Sequence, residues 1–129
     1  MSEPVEPVQE ESRQIADLMR ATLLEVFNER DPERRHAAVA HIYASDVRFS
    51  DREASIVGRD ALERKAQQIL DDAPGFVFSP AGQPQVVQDL GYQAWSFGPQ
   101  GAAPVVQGVD IALVENGRIA RLYTVLLTD

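Results

Sequence analysis

The stretch VVQGVDIALVENGRIARLYTVLLT, residues 105–128, carries the clearest structural signal in the chain. Asn116-Gly117 at its middle tolerates the positive φ angles of a two-residue turn, so the runs on either side form a tight hairpin. A period of two sorts the first run into Val105, Gln107, Val109, Ile111 and Leu113 on one face and Val106, Gly108, Asp110, Ala112 and Val114 on the other. The second run sets Ile119, Tyr123, Val125 and Leu127 against Ala120, Leu122, Thr124 and Leu126. All of these faces are largely apolar. Helices can cover one side of an antiparallel sheet, and the other side then needs a cover of its own. A second copy of the chain is the simplest cover, so a homodimer through the sheet is expected, with a thick core as the alternative.

Upstream, the same period reaches back to Pro74-Gly75 and predicts strands at Phe76–Ser79, Gln85–Leu90 and Tyr92–Phe97. Gly82, Pro84, Gly98-Pro99 and Gly101 break them, and Gly91 marks a bulge inside one long strand rather than a turn. Before Pro74 the period is helical. Ile15, Leu18, Met19, Leu23, Val26 and Phe27 form one apolar stripe. Asp31-Pro32 supplies an N-cap and first-turn proline to a second helix that carries Val39, Ile42 and Tyr43 and ends near Ala44. Val47 and Phe49 then alternate as a short strand running into Asp51. After Gly58, Asp60 with Glu63 resembles a capping box for a third helix on Leu62, Ala66, Ile69 and Leu70. Three helices followed by an antiparallel sheet predict an α+β fold with the helices on one sheet face.

A chain of 129 residues that is 44% hydrophobic supports one core. Residues 12–129 are expected to form a single domain and residues 1–11 a disordered acidic tail. The absence of cysteine excludes a disulfide framework, a thiolate nucleophile and a cysteine zinc site, and suits a reducing, cytoplasmic compartment. No apolar run approaches the ~20 residues of a membrane span. A net charge of −8 repels phosphate backbones and anionic lipid, so neither nucleic acid nor a membrane is an expected partner. His36 and His41 stand about 140° apart around their helix and cannot share a metal ion. Neither a metal nor a cofactor is expected, and no Ser-His-Asp order, phosphate loop or dinucleotide fingerprint occurs. Glu29, Arg30, Arg34 and Arg35 read as an exposed charged face.

Two carboxyls could carry chemistry. Asp110 lies within VVQGVDIALV, where an ionised group loses hydration that only a partner or a proton can replace. Its same-face neighbours Gly108 and Ala112 are small, which suits the wall of a cavity. The alternative is a structural aspartate bonded to backbone or paired with Arg48 or Arg121. Asp51 shares a strand face with Val47 and Phe49 and points inward if the strand continues that far. As part of Ser50-Asp51-Arg52 it reads more readily as an exposed turn residue.

Tyr43-Ala44-Ser45-Asp46-Val47-Arg48-Phe49-Ser50-Asp51, Gly58 opening a helix, Val105-Val106-Gln107-Gly108-Val109-Asp110 and Gly117-Arg118-Ile119 together resemble the ketosteroid-isomerase-like and SnoaL-like branch of the nuclear-transport-factor-2-like superfamily. The resemblance runs from about Ile15 to Leu127. It implies a cone-shaped, cystatin-like α+β barrel in which a strongly curved antiparallel sheet wraps the three N-terminal helices and encloses a deep pocket. It also implies roles. In the isomerases the aspartate matching Asp51 shuttles a proton, and the one matching Asp110 is held protonated to donate to the substrate oxyanion. Trp95 matches a pocket aromatic, and Met19, Thr22, Phe49, Phe97, Leu122 and Leu126 are expected to join it in binding a hydrophobic ligand. Thr22 and Ala66 stand where the isomerases carry tyrosines, so a hole with one donor would lose roughly 3 kcal/mol of transition-state stabilisation. Gly108 stands where epoxide-hydrolase-like relatives carry arginine.

The expected function is therefore a cofactor-free acid–base enzyme, an isomerase, cyclase or epoxide-opening hydrolase, acting on a hydrophobic small molecule. The alternative is a non-catalytic ligand-binding or dimerisation domain of the same fold.

Overall fold

A computed structural model describes residues 7–127. Three helices, α1 (Pro7–Ala21), α2 (Pro32–Ile42) and α3 (Arg59–Asp72), precede or interrupt seven strands: β1 (Tyr43–Ser50), β2 (Ser55–Val57), β3 (Phe76–Pro80), β4 (Gln85–Val87), β5 (Leu90–Pro99), β6 (Val106–Glu115) and β7 (Arg118–Leu126). The strands form one curved, open sheet in the order β2-β1-β7-β6-β5-β3, with β4 also paired to β5. Register shifts between Tyr43 and Arg48 and between Leu113 and Val114 supply the bulges that bend it. Residues 7–11, expected in the tail, already belong to α1. Residues 1–6 lie outside the described residues. Among the described residues no helix is long and apolar enough to cross a membrane.

The α+β cone agrees with expectation, with one correction to the sheet. It is mixed, because β1 runs parallel to β7 while the other pairs are antiparallel. Alternation of side chains is the same in either direction, so the sequence pattern does not encode this. The Asn116-Gly117 turn forms with φ angles of 53° and 77°. Asp31 caps α2, its Oδ2 accepting the Arg34 N–H at 3.1 Å. The capping box at α3 does not form. Gly58 is the N-cap with φ 99°, and Glu63 instead pairs with His36. The bulge expected at Gly91 inside one long strand does not form: β4 and β5 are separate antiparallel strands joined by a turn at Gln88-Asp89, with Gln88 at φ 53°, and Gly91 sits in β5 beneath α1. A Cβ there would stand 2.7 Å from Met19 Sδ, so the glycine sets how closely α1 packs on the sheet.

The apolar stripe of α1 continues into π-helical turns at Thr22–Phe27, where Asn28 N–H reaches back five residues to Leu23 O at 3.0 Å. Thr22, Leu23, Val26 and Phe27 are all buried there. The wider turn narrows the arc that these four residues span, so that all of them reach the sheet. Two arginines expected on an exposed face are structural. Arg30 donates to the carbonyls of Leu70, Ala73 and Phe76 at the end of α3. Arg35 is buried and reaches Glu29 O and Gln67 Oε1.

Candidate functional site

The inner face of the sheet is set by register. Gln93, Trp95 and Phe97 of β5 lie opposite Asp110, Gly108 and Val106 of β6, and Asp110 and Gly108 lie opposite Thr124 and Leu126 of β7. Beneath this face is a cavity of about 220 Å³. Its wall includes five aromatic rings, Phe27, Phe49, Phe78, Trp95 and Phe97. Phe78 stacks on Phe97 at 4.1 Å and meets Trp95 edge-on at 5.1 Å. Such rings give a rigid apolar lining of fixed shape.

Asp110 is buried in that wall, at 3% exposure. The Trp95 indole Nε1 and the Thr124 hydroxyl both donate to its Oδ1, at 3.0 and 2.9 Å. Among the described residues no cation pairs with it; Arg48 and Arg121 lie opposite each other in β1 and β7, and Arg48 reaches only Ser55. Burial pushes the Asp110 carboxyl up to about 6, and the bonds from Thr124 and Trp95 restrain it from rising further. With both donors on Oδ1, a proton taken up by the group sits on Oδ2. The small neighbour Gly108 does not leave open space, since the Trp95 ring fills it and is thereby held against the carboxyl.

Asp51 also lines the cavity, at the opening of the turn from β1 to β2. It is a turn residue, as one reading expects, but its side chain is mostly buried rather than exposed. Its Oδ1 accepts the backbone N–H groups of Glu53 and Ala54 at 2.9 and 3.0 Å, fixing the turn. Its Oδ2 meets Lys65 Nζ at 2.8 Å, with the two side chains only 15% and 19% exposed. Burial raises its pKa, but the Lys65 contact and the two N–H bonds outweigh this, so the carboxyl lies below the usual aspartate range. One strand separates the two aspartates, since Asp110 faces Thr124 and the preceding pair is Tyr123 with Ser50.

The cavity therefore brings together Asp51, Asp110, Phe49, Trp95, Phe97 and Leu126 of the expected set. Met19, Thr22 and Leu122 are not in its wall. All three are fully buried in the core, where Met19 packs on Gly91 and Thr22 shares a hydrogen bond with the Tyr43 hydroxyl. Burial also pushes the Tyr43 phenol up, its bond to Thr22 works against this, and the nearby Asp110 adds to the rise. Sequence reasoning missed Lys65 and Thr124. Each leaves a signal: Lys65 sits three residues after Leu62 and four before Ile69, on the apolar face of α3, and Thr124 interrupts Leu122 and Leu126. Among the described residues no group of three metal-binding side chains gathers.

The sequence matches the profile of the SnoaL-like domain over residues 21–122. No curated protein matches it. Among solved structures, a protein of the SnoaL-like family from Agrobacterium tumefaciens, described as a candidate isomerase, superposes with a TM-score of 0.83 at 23% identity, over 90% of this chain and 99% of its own. A candidate SnoaL-like polyketide cyclase from Jannaschia sp. CCS1 gives 0.75 at 9% identity, over 98% and 92%. An LEH-like epoxide hydrolase from M. tuberculosis gives 0.66 at 12% identity, over 90% and 84%. At these identities the likeness is one of fold, and the three proteins are named for three different activities.

Proposed function

The chain belongs to the SnoaL-like domain family, and from that premise we propose that it is an acid–base enzyme acting on a hydrophobic, oxygen-bearing small molecule. The observation that carries this reading is Asp110, a buried carboxyl that meets no cation among the described residues and whose two donors both occupy Oδ1 beside an apolar cavity. A group of this kind, with a pKa near 6, exchanges protons close to neutrality. Protonated, it donates through Oδ2 to a carbonyl or epoxide oxygen and stabilises the charge that develops there. A bound apolar ligand expels water and raises its proton affinity further. Isomerisation, cyclisation and epoxide opening all use such an acid. Asp51 would accept a proton at the other end of the ligand, and it must leave Lys65 to do so.

That ion pair favours a second reading, a ligand-binding module without turnover, because a carboxylate neutralised by an ammonium is a weak base. The two are separated with 1-tetralone in deuterated buffer, following loss of its C2 protons by NMR. Catalysed exchange that Asp110→Asn abolishes while the ketone still binds supports the enzyme. Binding with no exchange above the buffer rate supports the binding module.

A further inference from the structure

The ion pair at the cavity mouth joins Lys65 of α3 to Asp51 of the turn between β1 and β2. Lys65 is also 3.4 Å from Glu53 of the same turn. Arg52 lines the mouth as well, so every residue of the turn that borders the cavity is charged, whereas the wall deeper in is aromatic and aliphatic apart from Asp110 and Thr124. A ligand longer than the cavity would have to part Asp51 from Lys65 or leave apolar rings among these charges, and either is unfavourable.

Volume gives the same limit from a different direction. An apolar cavity of about 150 Å³ holds one benzene ring, so 220 Å³ holds on the order of ten non-hydrogen atoms. Pockets for drug-sized molecules begin at about 300 Å³. Among the described residues the polar side chains of the deeper wall are those of Asp110, its donor Trp95 and Thr124, and the two donors are already spent on Oδ1. A ligand oxygen that reaches the floor therefore meets Asp110 Oδ2, and a ligand anion there would meet a carboxyl.

We propose that the Asp51–Lys65 pair bars the mouth of the cavity and restricts its ligand to an uncharged one- or two-ring molecule whose oxygen reaches Asp110. Lys65 is thus a specificity-determining residue of the site. The inference rests on the reading of Asp110 as the group that meets the ligand oxygen, and the two can fail separately.

Trp95 is the only tryptophan of the chain and stands in the cavity wall, so its emission reports occupancy directly. Three probes suffice: 1-tetralone, naphthalene as the same skeleton without oxygen, and a four-ring steroid enone. Affinities come from calorimetry on the parent protein, on Lys65→Ala and on Asp51→Asn. The asparagine keeps an oxygen for the Glu53 and Ala54 N–H groups while releasing Lys65. 1-Tetralone should bind the parent and perturb Trp95, with naphthalene about ten-fold weaker. The steroid should leave the parent unchanged and bind both variants. A steroid that binds the parent as tightly as 1-tetralone overturns the gate, and so does one that neither variant admits although both still take 1-tetralone. Equal binding of naphthalene and 1-tetralone removes Asp110 from the reading while leaving the size limit standing. Failure of 1-tetralone and naphthalene alike to bind the parent overturns both.

Discussion

Gly108 and Trp95 face each other across β6 and β5 so closely that a Cβ at position 108 would stand 2.4 Å from the indole Cζ2. It would also come within 2.8 Å of Val125 O, so backbone closes the other side. The glycine is what allows the indole to lie over position 108 with its N–H on Asp110. Gly108→Ala should push the ring away, break that bond and cost about 1–3 kcal/mol of stability. Urea unfolding measures the loss, and a red shift of the single-tryptophan emission shows that the ring has moved.

Asp110 has a folded-state pKa of about 6 against an ordinary 3.8. The folded state therefore binds the proton more tightly, so the stabilising contribution is complete below pH 3.8 and is lost as pH rises through about 6. Asp110→Asn keeps an acceptor for Trp95 and Thr124 and carries no charge. It should match the parent in acid and exceed it above pH 7 by about 3 kcal/mol. Denaturation at the two pH values checks this. An asparagine variant weaker than the parent at neutral pH would mean that the charged form is the one the fold supports.

If the acid form of Asp110 drives turnover, the rate should decline about ten-fold per pH unit above its pKa. Tetralone exchange followed from pH 5 to pH 9 gives the profile. A rate that instead rises through this range would assign the rate-limiting role to a base.

The Tyr43 and Thr22 hydroxyls are buried and bonded to each other. Tyr43→Phe or Thr22→Val alone strands the partner and should cost about 1–3 kcal/mol, while the double variant should cost less than the sum. A double-mutant cycle by thermal or urea melting measures the coupling.

The outer sheet face carries Val109, Ile111, Tyr123 and Val125, of which Val125 is 45% exposed. We expect it to pair with a second copy in solution. Light scattering should give about twice the 14.2 kDa of one chain, and Val125→Lys should shift it toward the monomer. A parent protein that scatters as a monomer at micromolar concentration rejects the dimer.

Much of this fold was legible because local chemistry and global architecture agree. Asn116-Gly117 can adopt the hairpin turn its flanking strands need, and Asp31 followed by Pro32 can do little other than start a helix. Asp110 stood out because a carboxyl in an apolar strand is costly wherever it lies. The parallel course of β1 was hidden, since side-chain alternation carries no sign of direction. Arg35 looked like its solvated neighbours, and only the packing of α2 against α3 buries it. Asp51 could not be resolved from its sequence, because its partner Lys65 is fourteen residues away on another element and the turn role and the cavity role use different oxygens of one carboxyl.

The π-helical turns at Thr22–Phe27 hold one residue more than α-helical turns of the same rotation would. Leu24 is 44% exposed, and many side chains would be accommodated there. Its deletion would let the segment close into ordinary α geometry, with Thr22, Leu23, Val26 and Phe27 still on one face and Met19 still against Gly91. A residue lost from the α-helical turns of α1 would instead rotate everything before it by about 100°. The wide turn is thus a splice in the helix, the one place where its length can change by a letter without its inward face being turned to water.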